Sequence, residues 1–274
     1  MIKKFFKKRK QFNQIAEDIK SIKIQGARNI AKSALKAYLL IPSKSSKKKL
    51  LSLRPTEPMM ENVLDMAEQG KPLSEILNHF NESQEKINKQ VFKLIKNSDV
   101  IFTHCHSTNV LNALIYAKKQ KKKFEVYNTE TRPLFQGRKT ANDLRKAKIK
   151  VTMFVDSALG IALSKEQGTK KVSKVFLGAD ALTKDGIVNK VGSELVARIA
   201  KEEKIPVYIV ADLWKFTKSK VPIEQRKLNE VWDKAPKHIK IKNPAFEFVD
   251  KKYITGIITE LGLMRYDGFT KRMN

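Results

Sequence analysis
The chain has 274 residues, 41% of them hydrophobic, and a formal net charge of +28 at pH 7; that length can bury a sizeable core as one large domain or two unequal ones. Lysine or arginine interrupts every apolar run before it reaches the roughly 18 to 20 residues of a membrane helix, so no membrane partner is expected. Cys105 is the single cysteine, which excludes an internal disulfide, leaves one free thiol and agrees with a reducing compartment.

The opening MIKKFFKKRK carries the charge of a signal n-region, but Gln11, Asn13, Glu17 and Asp18 stand where an apolar h-region should be, and the expected location is cytoplasmic. Basic residues cluster at Lys7 to Lys10, Lys47 to Lys49 and Lys121 to Lys123. Charge alone leaves a nucleic-acid partner open, since cations that neutralise phosphates give affinity without any motif. That partner is not favoured, because aromatics are not interleaved as stacking platforms and arginine is scarce. A solvated lysine-rich surface whose field also attracts phosphorylated small molecules accounts for the same charge.

In chain order, Phe12, Ile15, Ile19 and Ile22 fall three and four apart and predict an amphipathic helix. Gly26 permits a turn, helical periodicity resumes from Asn29 to Leu40, and PSKSSKKK over Pro42 to Lys49 reads as a polar loop or linker. In LRPTEP, Pro58 suits the first turn of a helix running to Gln69, which Gly70 ends. A longer helix over Leu73 to Lys96 carries Ile76, Leu77, Phe80, Ile87, Val91, Leu94 and Ile95 on one stripe.

From Asp99 the pattern becomes short apolar runs alternating with helices. The runs are Val100 to Thr103, Phe124 to Thr129, Val151 to Val155, Val175 to Gly178, Val207 to Val210 and Ile254 to Thr259; helices are predicted at Val110 to Gln120, Thr140 to Ala147, Ala158 to Leu163 and Ser193 to Glu203. Such runs read as buried strands of a parallel sheet with right-handed crossovers. The expected fold is α/β: an all-helical N-terminal domain over 1–97, then a doubly wound, mainly parallel Rossmann-like domain over 98–274.

Polar clusters follow five of these runs: His104 to Ser107, Thr129 to Pro133, Asp156 with Ser157, Gly178 to Asp180, and Asp212 to Lys215. In an open parallel sheet those ends share one edge, the place where ligands bind. Cys105 sits in a polar turn ahead of a helix, where the dipole and nearby lysines would favour thiolate, although a free cysteine is more often a small buried hydrophobe. Asp180 ends a strand, where a carboxylate either caps a turn or, once desolvated, holds a proton and serves as a general acid. A thiolate facing a protonated carboxyl can move a proton on a sugar. Phosphate contacts are expected from Ser107, Thr108 and Asn109 at a helix start and from Arg54, Arg132, Lys190 and Lys215. Zinc is not expected, because His104, Cys105 and His106 in a row cannot easily face one ion, while His79 and His238 fall elsewhere. Neither a G-x-x-x-x-G-K-[ST] loop nor a G-x-G-x-x-G after a strand is present, which argues against the usual nucleotide folds.

THCHS, ETRPLFQGRKTA, VTMFVDSA, GADAL, GIVNKVG and ADLWKF, in that order, resemble the motifs of the superfamily that joins regulatory subunits of eukaryotic initiation factor two-B to sugar-phosphate isomerases. The likeness runs from about Asp99 to Gly262. It is greatest to archaeal ribose 1,5-bisphosphate isomerases and more distant to methylthioribose 1-phosphate isomerases. It implies a cysteine proton acceptor and an aspartate proton donor at Cys105 and Asp180. It further implies substrate contacts at Gly26, Ala27, Arg28, Arg54, Ser107, Thr108, Asn109, Asn189, Lys190 and Lys215, no metal or redox cofactor, and a homo-oligomer, either a dimer or a hexamer built from dimers. The activity implied is ribose 1,5-bisphosphate to ribulose 1,5-bisphosphate in AMP salvage; a translation-factor-like regulatory subunit and a basic RNA-binding protein are the competing readings. Where the isomerases carry Arg-Gly-Ala-Gly, this chain has Gln25, Gly26, Ala27 and Arg28, so Arg28 is expected to supply the displaced cation.

Overall fold
The computed structural model describes residues 2–165 and 168–273. Its first part is helical: α1 (Ile2–Lys20), α2 (Ala27–Leu40), α3 (Lys44–Leu53), α4 (Pro58–Glu68) and α5 (Leu73–Leu94). Phe12 and Ile19 of α1 bury against Ile30 and Ala34 of α2, Leu50 of α3, and Met60 and Leu64 of α4. The stretch expected as a loop, Pro42 to Lys49, is instead mostly α3. Ser43 caps it by accepting a hydrogen bond from Ser46 N, and Leu50 is fully buried. Lysines on its solvent face hid a single apolar anchor. Helix α1 likewise starts well before Phe12 and takes in the basic opening.

The second part contains β1 (Val100–Thr103), α6 (Thr108–Lys119), β2 (Glu125–Thr129), α7 (Gln136–Lys146), β3 (Lys150–Phe154), α8 (Leu159–Leu163), β4 (Lys174–Leu177), β5 (Ala181–Leu182), β6 (Gly186–Lys190), α9 (Ser193–Glu202), β7 (Val207–Val210), β8 (Phe246–Asp250), β9 (Gly256–Thr259), β10 (Gly262–Met264) and α10 (Tyr266–Met273). Seven strands form one sheet in the order β10-β9-β7-β4-β1-β2-β3, parallel except for the edge strand β10. Alternate residues of β1 point to opposite faces: Val100 and Phe102 pack with α8, α9 and α10, while Ile101 packs with α5 and α6. Burying a phenylalanine such as Phe102 or Phe176 contributes about 1.5–3 kcal/mol.

Two features differ from the expected sheet. Strand β3 forms an edge rather than a buried strand, and Met153 is 45% exposed. A second, antiparallel sheet, β5-β6-β8, stands beyond the end of β4. Two-residue β5 is too short to read from a pattern, and Asn189 and Lys190 disguise β6.

The chain leaves β1 toward β2 and β3 on one side and places β4, β7 and β9 on the other, so strand order reverses between β1 and β4. Loops leaving those two strands diverge and open a crevice. The polar connections after β1, β4 and β7 meet there, whereas Thr129 to Pro133 and Asp156 with Ser157 lie outside its lining. Close packing at the neighbouring β2–α7 turn depends on Gly137, where an added Cβ would lie 1.7 Å from the Thr129 carbonyl oxygen. We expect Gly137→Ala to lose at least about 3 kcal/mol, since backbone must move to relieve the overlap. A urea midpoint equal to that of the parent protein would show that this turn has slack.

Candidate active site
A single cleft at the reversal is lined by Gly26, Ala27, Arg28, Arg54, Cys105, Ser107, Thr108, Asn109, Asp180, Asn189, Lys190 and Lys215. Arg132 is the exception among the residues expected there. Its guanidinium donates to the carbonyls of Val231 and Pro133, and its backbone N–H donates to Asp156 at 2.6 Å. The Asp156 carboxylate also accepts from Thr131 N, so this strand-end acid anchors the β2 loop.

Cys105 adopts a left-handed backbone, φ 66°. Its N–H donates to Thr131 Oγ1 at 3.1 Å and its carbonyl accepts from Thr140 Oγ1 at 2.8 Å, which fixes the turn. Beneath it, buried His104 bridges Thr129 Oγ1 at 2.6 Å and the Val191 carbonyl at 2.8 Å, and burial holds its pKa below the usual value. The carbonyl can only accept, so Nε2 carries the proton and Nδ1 accepts from Thr129.

The surroundings of Cys105 disfavour a resting thiolate. Burial pushes its thiol up to about 12, and the opposing pull of Lys190 is smaller. Helix α6 starts three residues on, at Thr108, and Ser107 already caps it through Val110 N. Desolvation thus outweighs the dipole.

Asp180 follows β4, with its backbone N–H donating to Val188 O at 2.9 Å. Burial raises its pKa against the pull of Lys215, Arg54 and Lys190, which favours a held proton. Lys215 is buried and donates to Ala179 O at 2.5 Å. Burial lowers the pKa of Lys190, against the opposing influence of Cys105 and Asp180. Asn189 reaches the cleft, but its amide N–H donates to Ser193 Oγ at 2.8 Å.

Two helix starts converge on this space. Gly26 takes φ 83°, a left-handed conformation suited to glycine, and no side chain caps the start of α2 behind it. The second is α6, headed by Ser107 and Thr108. Such ends attract anions through free N–H groups and the helix dipole. Arg28 stands at the α2 end, donating to Asn81 Oδ1 at 2.6 Å and lying 5.5 Å from the centre of the Phe80 ring.

Four charged residues of the cleft were not expected from the sequence: Glu57, Lys139, Glu224 and Arg226. Arg54 donates through Nε to Glu224 at 3.1 Å and contacts Glu57 at 3.5 Å, so its charge is shared between two carboxylates. The Arg54 to Glu224 pairing spans 170 residues and leaves no local signal. Glu57 had one, an acid held between Pro55 and Pro58.

His79 also joins the sheet domain. Its Nε2 lies 3.1 Å from Asp212, its ring stacks on Trp214 at 3.5 Å, and Glu260 completes a set whose ligand atoms lie within 4.8 Å of one another. These donors could hold a metal. They also form a hydrogen-bonded brace: Asp212 accepts from Ser83 Oγ and Trp214 N, and Glu260 accepts from Leu213 N. Burial pushes Asp212 up, but hydrogen bonds from His79, Ser83 and Trp214 outweigh it and hold the carboxyl low.

The cleft thus combines a carboxyl disposed to keep its proton, a half-buried thiol, cations on either side and two helix starts, a set suited to acid–base chemistry on a phosphorylated ligand. Over 95% of its length the chain is 32% identical to a ribose 1,5-bisphosphate isomerase of Archaeoglobus fulgidus, spanning 93% of that protein. It is 34% identical to the protein of that name from Methanocaldococcus jannaschii, over 92% of this chain and 91% of that one. The structure of a translation initiation factor eIF-2B from Pyrococcus horikoshii OT3 superposes with a TM-score of 0.80 at 27% identity, covering 93% of this chain and 96% of that one. The sequence model of the Initiation factor 2 subunit family matches residues 23–266, and the chain belongs to that family.

Proposed function
We propose that this protein is a sugar-phosphate aldose–ketose isomerase that converts ribose 1,5-bisphosphate to ribulose 1,5-bisphosphate. Its setting in this reading is AMP salvage in the cytoplasm, as a homo-oligomer. The observation that carries the proposal is the pairing of Cys105 with Asp180 across the strand reversal, in a cleft rich in anion-binding groups. The names of the archaeal relatives support it. Family membership alone does not, since one fold serves several functions.

The reaction closes on protein groups. Cys105, as thiolate, takes the proton from C2 while Asp180 gives its proton to the ring oxygen. The bond from C1 to that oxygen breaks, and a C1–C2 enediol remains with its phosphate on the C1 oxygen. The thiol then returns its proton to C1. Ionised Asp180 takes the proton of the C2 hydroxyl, which becomes the ketone. Both groups end as they began. Asp180 enters in the form its burial favours, whereas Cys105 must first shed a proton, with Lys190 stabilising the anion.

An assay of the purified protein with ribose 1,5-bisphosphate tests the activity; absence of turnover would favour the translation-factor-like alternative. Cys105→Ser and Asp180→Asn are each expected to lower turnover by about a hundred- to ten-thousand-fold, the usual worth of a proton-transfer group. Undiminished rates in both would rule out the acid–base assignment. With the thiol raised so far, kcat at saturating substrate should climb from about pH 7 toward 9 as the thiolate fraction grows about tenfold per unit, until Asp180 ionises. A flat profile would remove Cys105 as the base. Arg28→Ala is expected to raise the substrate Kd about tenfold, as loss of a charge-assisted contact would; unchanged affinity would mean that Arg28 does not replace the missing family arginine.

A further inference from the structure
Glu57 immediately precedes α4, where a carboxylate can cap free N–H groups, yet it makes no capping hydrogen bond. It turns instead into the cleft wall, 3% exposed, with Oε1 at 3.5 Å from Arg54 and Oε2 buried without a hydrogen-bond partner among the described residues. The charged groups facing it come from every side: Arg54 from its own segment, Asp180 after β4, Lys215 after β7 and Glu224 before β8. With Lys190, and with Arg226 and its partner Glu230, the cluster holds four cations and four carboxylates. Fully ionised, this group of eight is neutral, and Arg28 and Lys139 are the further cations of the lining.

We propose that Glu57 sets the anion affinity of the cleft: as the neutral acid it leaves Arg54 paired with Glu224 alone and offers an O–H to a ligand phosphate, and as the carboxylate it takes a second share of Arg54 and repels that phosphate. The identity of the ligand as a sugar phosphate rests on the isomerase reading; the charge balance does not. Burial first, and then Asp180, push the Glu57 carboxyl up to about 8, with Arg54 and Lys215 opposing. The acid form therefore prevails near neutral pH. Binding through that form retains or takes up a proton, so affinity falls as pH rises past the free-protein value.

Calorimetric titrations of the parent protein and Glu57→Gln with sulfate, which keeps its charge throughout, and with ribose 1,5-bisphosphate test this. Lys190 titrates in both proteins, so the ratio of the two affinities reports Glu57 together with the response of Asp180 to its charge. Between about pH 7 and 9 the parent protein should weaken roughly tenfold relative to the glutamine variant, the effect of one proton lost from a group near 8. A constant ratio, or no binding of either anion at any pH, would overturn the proposal. Titrations of the parent protein in buffers of differing ionisation enthalpy give a readout that does not depend on the variant's folding. Proton uptake approaching one per anion above pH 8 is expected, and zero uptake overturns the idea. A pH-dependent ratio with sulfate but no turnover would keep Glu57 in this role and remove the isomerase reading; turnover with a constant ratio would do the reverse.

Discussion
Parallel pairing of β1 with β4, Ile101 against Lys174 and Phe102 against Val175, carries the turn of Cys105 and the turn of Asp180 to the same crevice. The helical part packs against it with Gly26, Arg28 and Arg54, and its deeper groups lose much of their contact with water. Loss of water raises the carboxyl and the thiol and lowers Lys190. One physical cause thus acts in opposite directions on acids and on a base, because burial always disfavours the charged form.

This sign rule helps Asp180 and hinders Cys105. A general acid benefits from desolvation, since it starts with its proton in place. A thiol base in the same environment begins in the unreactive form and depends on neighbouring cations or on the bound ligand to release its proton. Lys190, which faces both groups, is the residue through which the two demands meet.

Charge in the cleft is distributed more evenly than a count of lysines and arginines suggests. Arg54 and Arg226 are both held by carboxylates, and Lys215 by a backbone carbonyl. Paired cations of this kind give an anion geometry more than surplus charge, and the net field depends on which carboxyls keep their protons. The strongly basic surface of the chain is a separate matter: Lys3, Lys4, Lys7 and Lys10 at the start of α1 are exposed.

Periodicity and turn residues by themselves determined the alternation of helices and strands, the parallel sheet, and the gathering of His104 to Ser107 and Gly178 to Asp180 at one edge, because a strand end and its following turn are local. Motif order supplied the family. The helix over Lys44–Leu53, the small β5-β6-β8 sheet and the exposed edge at β3 were decided only by tertiary packing, where one buried leucine or a neighbouring strand outweighs a weak local pattern. So too were the ionisation of Cys105 and the company of Glu57. Solvent exclusion and an ion pair spanning 170 residues depend on distances in space, which no spacing along the chain encodes.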